Sequence, residues 1–132
     1  MLYADSSRQK IFLINLDYSL AQPTAVKLGN TPRPEALDYD PQERFIYWSD
    51  LQLRQILRAH PDGSAKTIII NNGLQSPKGL AVDHVGRNLY WTDFDANRIE
   101  VAKLNGSDRK VLVSQNIQKP MDIVLDLKNG YE

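Results

Sequence analysis

Tyr47-Trp48-Ser49-Asp50 returns as Tyr90-Trp91-Thr92-Asp93, 43 residues further along the chain. Laying residues 34–76 over 77–119 without a gap gives 12 identities in 43 positions. They are Pro34/Pro77, Leu37/Leu80, Asp40/Asp83, Arg44/Arg87, Tyr47/Tyr90, Trp48/Trp91, Asp50/Asp93, Ile56/Ile99, Ala59/Ala102, Gly63/Gly106, Ser64/Ser107 and Gln75/Gln118. Both tryptophans of the chain are among them. A period of this length, with an aromatic-acid signature and a glycine turn in each unit, is what a β-propeller blade produces.

The repeat extends to both sides. Leu2-Tyr3-Ala4-Asp5 falls on Tyr47–Asp50 and Ile11 on Ile56, with two extra residues near 20–23 at a hairpin tip. Pro120 to Asp126 restarts the unit, matching Pro77 to Asp83. The repeats are therefore 2–33, 34–76 and 77–119, with 120–132 supplying the inner strand of a further blade. The whole of 1–132 reads as one half-propeller, cut out of phase. Its first unit starts at strand two and its last segment is a strand one.

Each unit reads as four strands. In the second unit, strands are expected at 35–39, 45–49, 55–59 and 66–70, with Asp-Pro and Pro-Asp-Gly-Ser as turns. In the third they are expected at 79–82, 88–92, 98–103 and 110–113. No stretch carries helical periodicity, so the fold class is all-β, with four-stranded blades. Trp48 and Trp91, on a middle strand, are fillers for the gap between blades. Asp50 and Asp93, at the strand end, are placed to accept backbone N–H bonds and fix the following turn. Arg44 and Arg87 precede strand two and have those acids, or Asp40 and Asp83, as partners.

Composition narrows the function. Sixteen acidic and sixteen basic residues cancel, which gives no electrostatic case for nucleic acid. There is no cysteine, hence no disulfide framework and no thiolate metal site. No apolar run approaches a membrane span, so direct membrane insertion is not expected. The acids Asp5, Asp50, Asp93, Asp40, Asp83 and Asp126 repeat with the blade. A catalytic or metal centre would break that symmetry, so they read as structural, and no cofactor or metal is expected. His60 and His84 lack metal-ligand spacing and read as solvated turn residues. Asn105-Gly106-Ser107 is a glycosylation sequon at a hairpin.

The Tyr-Trp-Thr-Asp signature, Pro77-Lys78-Gly79-Leu80-Ala81-Val82-Asp83 and the run from Asn97 to Gly106 resemble the YWTD-repeat propellers of the low-density-lipoprotein receptor family. With Leu2 to Asp5 and Arg109-Lys110-Val111-Leu112, the chain is most similar to the first half of a propeller of the Wnt co-receptor and agrin-receptor branch. The resemblance implies a six-bladed ring, a non-catalytic protein-binding role and an extracellular or ectodomain location. It also implies a ligand face, built from loops after strand two and loops leading into strand one: 6–8, 51–54 and 94–98, with 29–33, 73–76 and 116–119. On that face Leu51, Arg54, Phe94, Asp95, Asn97 and Arg98 are the candidate contacts. Phe94 reads equally as a peptide anchor or as packing on a neighbouring blade. Arg54 stands where that branch carries an acid.

Three blades do not close a ring. The expected partner is a second copy, the junction being Leu2, Tyr3 and Asp5 of one chain against Pro120, Ile123, Leu125 and Asp126 of the other. A protein or peptide ligand would then dock on the closed ring. Two other readings stand beside the receptor module. One is a half-propeller whose role is self-assembly itself. The other is a metal-dependent propeller hydrolase using Glu35, Asp38 and Asp122 near the axis.

Overall fold

The computed structural model describes residues 2–5, 10–13, 24–26 and 28–125. Eleven strands are formed: β1 Leu2–Asp5, β2 Lys10–Leu13, β3 Thr24–Ala25, β4 Pro34–Asp40, β5 Phe45–Asp50, β6 Gln55–Ala59, β7 Thr67–Ile70, β8 Pro77–Asp83, β9 Asn88–Asp93, β10 Arg98–Lys103 and β11 Lys110–Val113. They make three antiparallel meanders, ordered β1-β2-β3, β4-β5-β6-β7 and β8-β9-β10-β11. The second and third sheets are the expected four-stranded blades. Their inner strands run longer than the sequence suggests, because a bulge between Pro34 and Leu37, repeated between Pro77 and Gly79, carries the ladder past the proline.

β5 shows why the aromatic motif is needed. Its six residues are all buried, so both faces of the sheet are covered. Tyr47, with Phe45, Ile56 and Ile70, faces Leu80, Val82, Leu89, Trp91, Ala102 and Leu104 of the third sheet in one cluster. Trp48, with Ile46, Leu57 and Ala59, faces the other way, against Leu28 and Val26 at the exit of the first sheet. Alternation along one strand thus feeds two inter-blade cores. Trp48 and Trp91 are fully buried, at 0% exposure.

The first sheet differs. Among the described residues it holds three strands, and β1 pairs on one side alone, with β2. β1 lies beside β4, as β5 lies beside β8, which places it as a strand two without the inner strand. Residues 120–125, expected as a strand one, are not assigned to a strand. They lie next to β8, with the Met121 carbonyl 3.3 Å from Thr92 Oγ1 and residues 122–125 sharing a cavity with Leu80, Ala81 and Val82. Leu2, Tyr3 and Asp5 are in β1; Pro120, Ile123 and Leu125 are in the unpaired segment. Asp126 and the hairpin tip near 20–23 lie outside the described residues.

Candidate functional site: the loop face after strand two

The two signature acids build the same corner twice. Asp50 accepts N–H bonds from Gln52 and Leu53 in the turn after β5, both at 2.9 Å, and from Arg33 in the loop leading into β4, at 3.0 Å. Asp93 accepts from Ala96 at 3.1 Å and, across the same gap, from Gln75 at 2.9 Å and Ser76 at 3.0 Å. Backbone bonds from Leu51 N to the Arg33 carbonyl and from Phe94 N to the Ser76 carbonyl complete each corner. A buried carboxylate with three N–H donors clamps two loops to one strand end. Arg54 and Asn97 close these turns in the left-handed region, at φ 54° and 56°.

The clamp puts two loop families on one face. Phe94 is half-buried, with Lys78 Nζ 4.1 Å and Lys119 Nζ 5.1 Å from the centre of its ring. Asp95 bonds to Ser76 Oγ and pairs with Lys119 at 3.3 Å. The Ser76 hydroxyl, then Lys119, holds its carboxyl below the ordinary value, so Asp95 stays ionised on this surface. Asn97 Oδ1 accepts the Lys119 N–H at 2.9 Å. The result is an aromatic ring flanked by two cations and edged by a carboxylate. Leu51 and Arg54 occupy the matching loop of the second sheet, half-buried and exposed respectively.

Arg98, the sixth candidate, is turned inward. Its Nη2 donates to the Gly73 carbonyl at 2.7 Å, and its Nε lies 3.3 Å from buried Glu100. Glu100 had no role in the sequence reading. It receives Arg109 Nε at 2.9 Å and Nη2 at 3.1 Å, and the Trp91 indole N–H at 3.3 Å. Arg109 in turn bonds to the Asn72 carbonyl at 2.7 Å, so this network ties the third sheet to the loop that precedes it. In the second sheet Leu57 stands in the place of Glu100, and Trp48 Nε1 has no hydrogen-bond partner among the described residues.

The low-density lipoprotein receptor repeat class B model matches residues 44–84 and 87–127, two stretches offset by the internal repeat. The chain belongs to this family. Low-density lipoprotein receptor-related protein 5 of Mus musculus is 45% identical over 64 residues, 48% of this chain and 4% of its own length. Low-density lipoprotein receptor-related protein 4 of Homo sapiens is 46% identical over 70 residues, 52% of this chain and 4% of its own length. A chain in the crystal structure of a nidogen/laminin complex superposes with a TM-score of 0.86 at 34% identity, over 98% of this chain and 49% of that one. Virginiamycin B lyase from Staphylococcus aureus shares the fold, with a TM-score of 0.73 at 18% identity. The chain thus spans about half of the first solved chain and a small part of each receptor.

Within this YWTD-repeat propeller the other sequence candidates take structural places. Arg87 pairs across blades with Asp40, at 2.7 and 2.9 Å, and also with Glu43. Burial pushes the Asp40 carboxyl up, but the Arg87 hydrogen bonds, the turn N–H groups of Gln42 and Glu43 and the guanidinium charge outweigh it and hold it below 3.8. The same pairing raises Arg87. Asp38 spends its oxygens on the Tyr39 and Val82 N–H groups, at 2.8 Å each. Glu35 is exposed, and Asp122 accepts from Ile123 N. Among the described residues no group of three His, Cys, Asp or Glu side chains could hold a metal ion. His60 is not a freely solvated turn residue. It stacks on Phe45 at 4.2 Å and its Nδ1 lies 2.9 Å from the Arg44 carbonyl. His84 is half-buried, with a buried Nδ1.

Proposed function

We propose that this chain is a non-catalytic, extracellular receptor-type binding module, that the face carrying Phe94 docks a protein or peptide, and that two copies close a six-bladed ring. The observation that carries the binding reading is the Phe94 ring clasped by Lys78 and Lys119 and edged by Asp95. An aromatic anchor within a polar rim is the pattern of an interface hot spot. Two lysines over the ring favour a ligand with carboxylates beside an apolar side chain. Family membership supports the receptor setting, and the solved nidogen/laminin complex is a protein–protein assembly containing a similar chain. The ring reading is compatible with β1 and segment 120–125, each of which has an edge with no strand partner among the described residues.

Panning a random-peptide display library against the chain tests the face. Recovered peptides should lose affinity at least about tenfold with Phe94→Ala, the scale of a central hot-spot residue. Asp95→Lys should change affinity without lowering the melting temperature. Peptides that instead depend on Pro61–Ser64 and Asn105–Ser107, the hairpins at the other end of the sheets, would overturn the assignment.

A further inference from the structure

Asn105-Gly106-Ser107 forms the tip of the hairpin between β10 and β11, and the chain builds this hairpin twice. Between β6 and β7, His60 N donates to the Ser64 carbonyl at 3.0 Å and Gly63 N to the His60 carbonyl at 2.8 Å. Lys103 N and Gly106 N make the same two bonds, to the Ser107 and Lys103 carbonyls, at 2.8 Å each. Gly63 and Gly106 take φ 89° and 90°, and Ala65 and Asp108 take φ 56° and 55°. The residue before each glycine locks the turn with one side-chain oxygen. Asp62 Oδ1 accepts from Ser64 N at 2.9 Å and from Ser64 Oγ at 2.6 Å. Asn105 Oδ1 accepts from Ser107 N at 3.0 Å and from Ser107 Oγ at 2.7 Å. The turn thus uses a single oxygen at this position, and a carboxylate serves it as well as an amide. At position 105 the chain carries the amide, and its Nδ2 donates no hydrogen bond among the described residues.

The surroundings leave room for an attachment. Asn105 and Ser107 are exposed. The hairpin rests on the second sheet through Gly106, where a Cβ would run into the Ile69 carbonyl. Asn105 borders an open cavity of about 470 Å³, with Lys103, Ser107 and Asp108 beside it. Asn-x-Ser is the acceptor triplet for N-linked sugar, and no other Asn-x-Ser or Asn-x-Thr occurs in the chain. We propose that Asn105 carries an N-linked glycan. The donor is a lipid-linked oligosaccharide pyrophosphate. Its sugar C1–O bond breaks, the Nδ2–C1 bond forms, Nδ2 gives up one proton and the lipid pyrophosphate leaves. This rests on the extracellular reading above, since that donor acts on chains entering the secretory pathway. A glycan is bulky and hydrophilic. At this hairpin it covers the end of the third sheet opposite Phe94 and leaves the docking face clear. An Asn-Gly pair has a second chemistry, attack of the glycine nitrogen on the side-chain carbonyl with loss of ammonia. The folded hairpin opposes it, because the Gly106 N–H is bonded to the Lys103 carbonyl.

The test expresses the whole chain in cultured animal cells behind a cleavable secretory leader, as wild type, Asn105→Gln, Ser107→Ala and Asn105→Asp. Cleavage of the leader reports entry into the secretory pathway. Wild type should run as a slow band that shifts to the mobility of Asn105→Gln after treatment with peptide N-glycosidase F, and Ser107→Ala should match Asn105→Gln. Release in heavy-oxygen water should convert Asn105 to labelled aspartate, read by peptide mass spectrometry. Asn105→Asp should lose the slow band yet melt with the deglycosylated wild type, as the Asp62 turn implies; a lower melting temperature would show that the turn needs the amide, against the proposal. Wild type with its leader cleaved and no slow band overturns the glycan and leaves the binding module standing. A slow band that persists in Asn105→Gln, or unlabelled aspartate in place of Asn105, overturns it as well. Natural protein confined to the cytosol, beside a leader-driven chain that is glycosylated, overturns the extracellular reading and with it the modification in the cell.

Discussion

At the scale of single residues, the repeat motif divides into a filler, a clamp and a latch. Trp91 is the filler, with no exposure in the core between the second and third sheets. Trp91→Ala should cost about 3–5 kcal/mol, as for a large buried aromatic, read as a shift of the chemical denaturation midpoint. A silent substitution would remove the aromatic from the fold's core. Asp40 and Arg87 are the latch, and its pH dependence has a definite sign. The folded carboxyl titrates below its ordinary 3.8. Its contribution is complete above that value and is lost as pH falls through the lowered one. Arg87→Met should cost about 3 kcal/mol at neutral pH, by stranding a buried carboxylate. Because Asp40 then gains by protonation, stability of the variant relative to wild type should recover as pH falls below 4. Denaturation midpoints of both proteins at pH 7 and pH 3 check this, and an unchanged gap would sink it. The filler and the clamp were legible in sequence, since Trp48 and Asp50 recur in phase as Trp91 and Asp93. Glu100 was not, because its repeat counterpart is Leu57. A lone acid in a strand reads as solvent-facing until the fold brings Arg98, Arg109 and Trp91 around it.

At the scale of elements, glycine placement sets how closely neighbouring inner strands approach. A Cβ on Gly79 in β8 would lie 2.6 Å from both the Met121 carbonyl and Thr92 Oγ1, and 2.9 Å from the Asp122 backbone. Segment 120–125 therefore sits against β8 because that position lacks a side chain. In the second sheet the same position is Ala36, whose N–H bonds to Ser49 Oγ at 3.1 Å. Gly79→Ala should push 120–125 off β8, at a cost of about 1–3 kcal/mol for overpacking. It should also speed cleavage before Asp122 by an aspartate-specific endoproteinase, within the segment that Lys119 anchors to Asn97 and Asp95. Unchanged cleavage would mean the segment does not depend on this contact. The strand plan itself was readable from alternation and turn residues, β6, β10 and β11 to the residue. The lengths of β4 and β8 were not, since the bulge after each proline leaves no mark in hydrophobic pattern. Nor was the clasp on Phe94 readable. Lys78 and Lys119 come from different elements: Asp93 clamps the loop before Lys78, and Asn97 and Asp95 hold Lys119 beside the ring.

At the scale of the whole molecule, the two large sheets are the same object with different surroundings, and the proposed ring would remove that difference. Ile70 on β7 is 4% exposed, buried between the second and third sheets. Val113, its repeat counterpart on β11, is 40% exposed, with Val111 and Leu112 at 47% beside it. In a chain that works alone, the third sheet would leave this row of apolar side chains in water, a surface that marks an interaction site. In the ring, the first sheet of a second copy would cover it, as the third sheet covers the second. Matched substitutions separate these states. Ile70→Asp buries an unpaired charge in the folded chain, so it should unfold the protein at any concentration. Val113→Asp should leave the melting profile of the dilute chain close to wild type, yet reduce association at least tenfold, because the charge is buried only at the junction. Far-ultraviolet circular dichroism at low concentration and sedimentation at high concentration read the two effects independently. If Val113→Asp unfolds the dilute chain as Ile70→Asp does, β11 is already covered by its own chain. If it associates as tightly as wild type, the open face of the third sheet is not the junction.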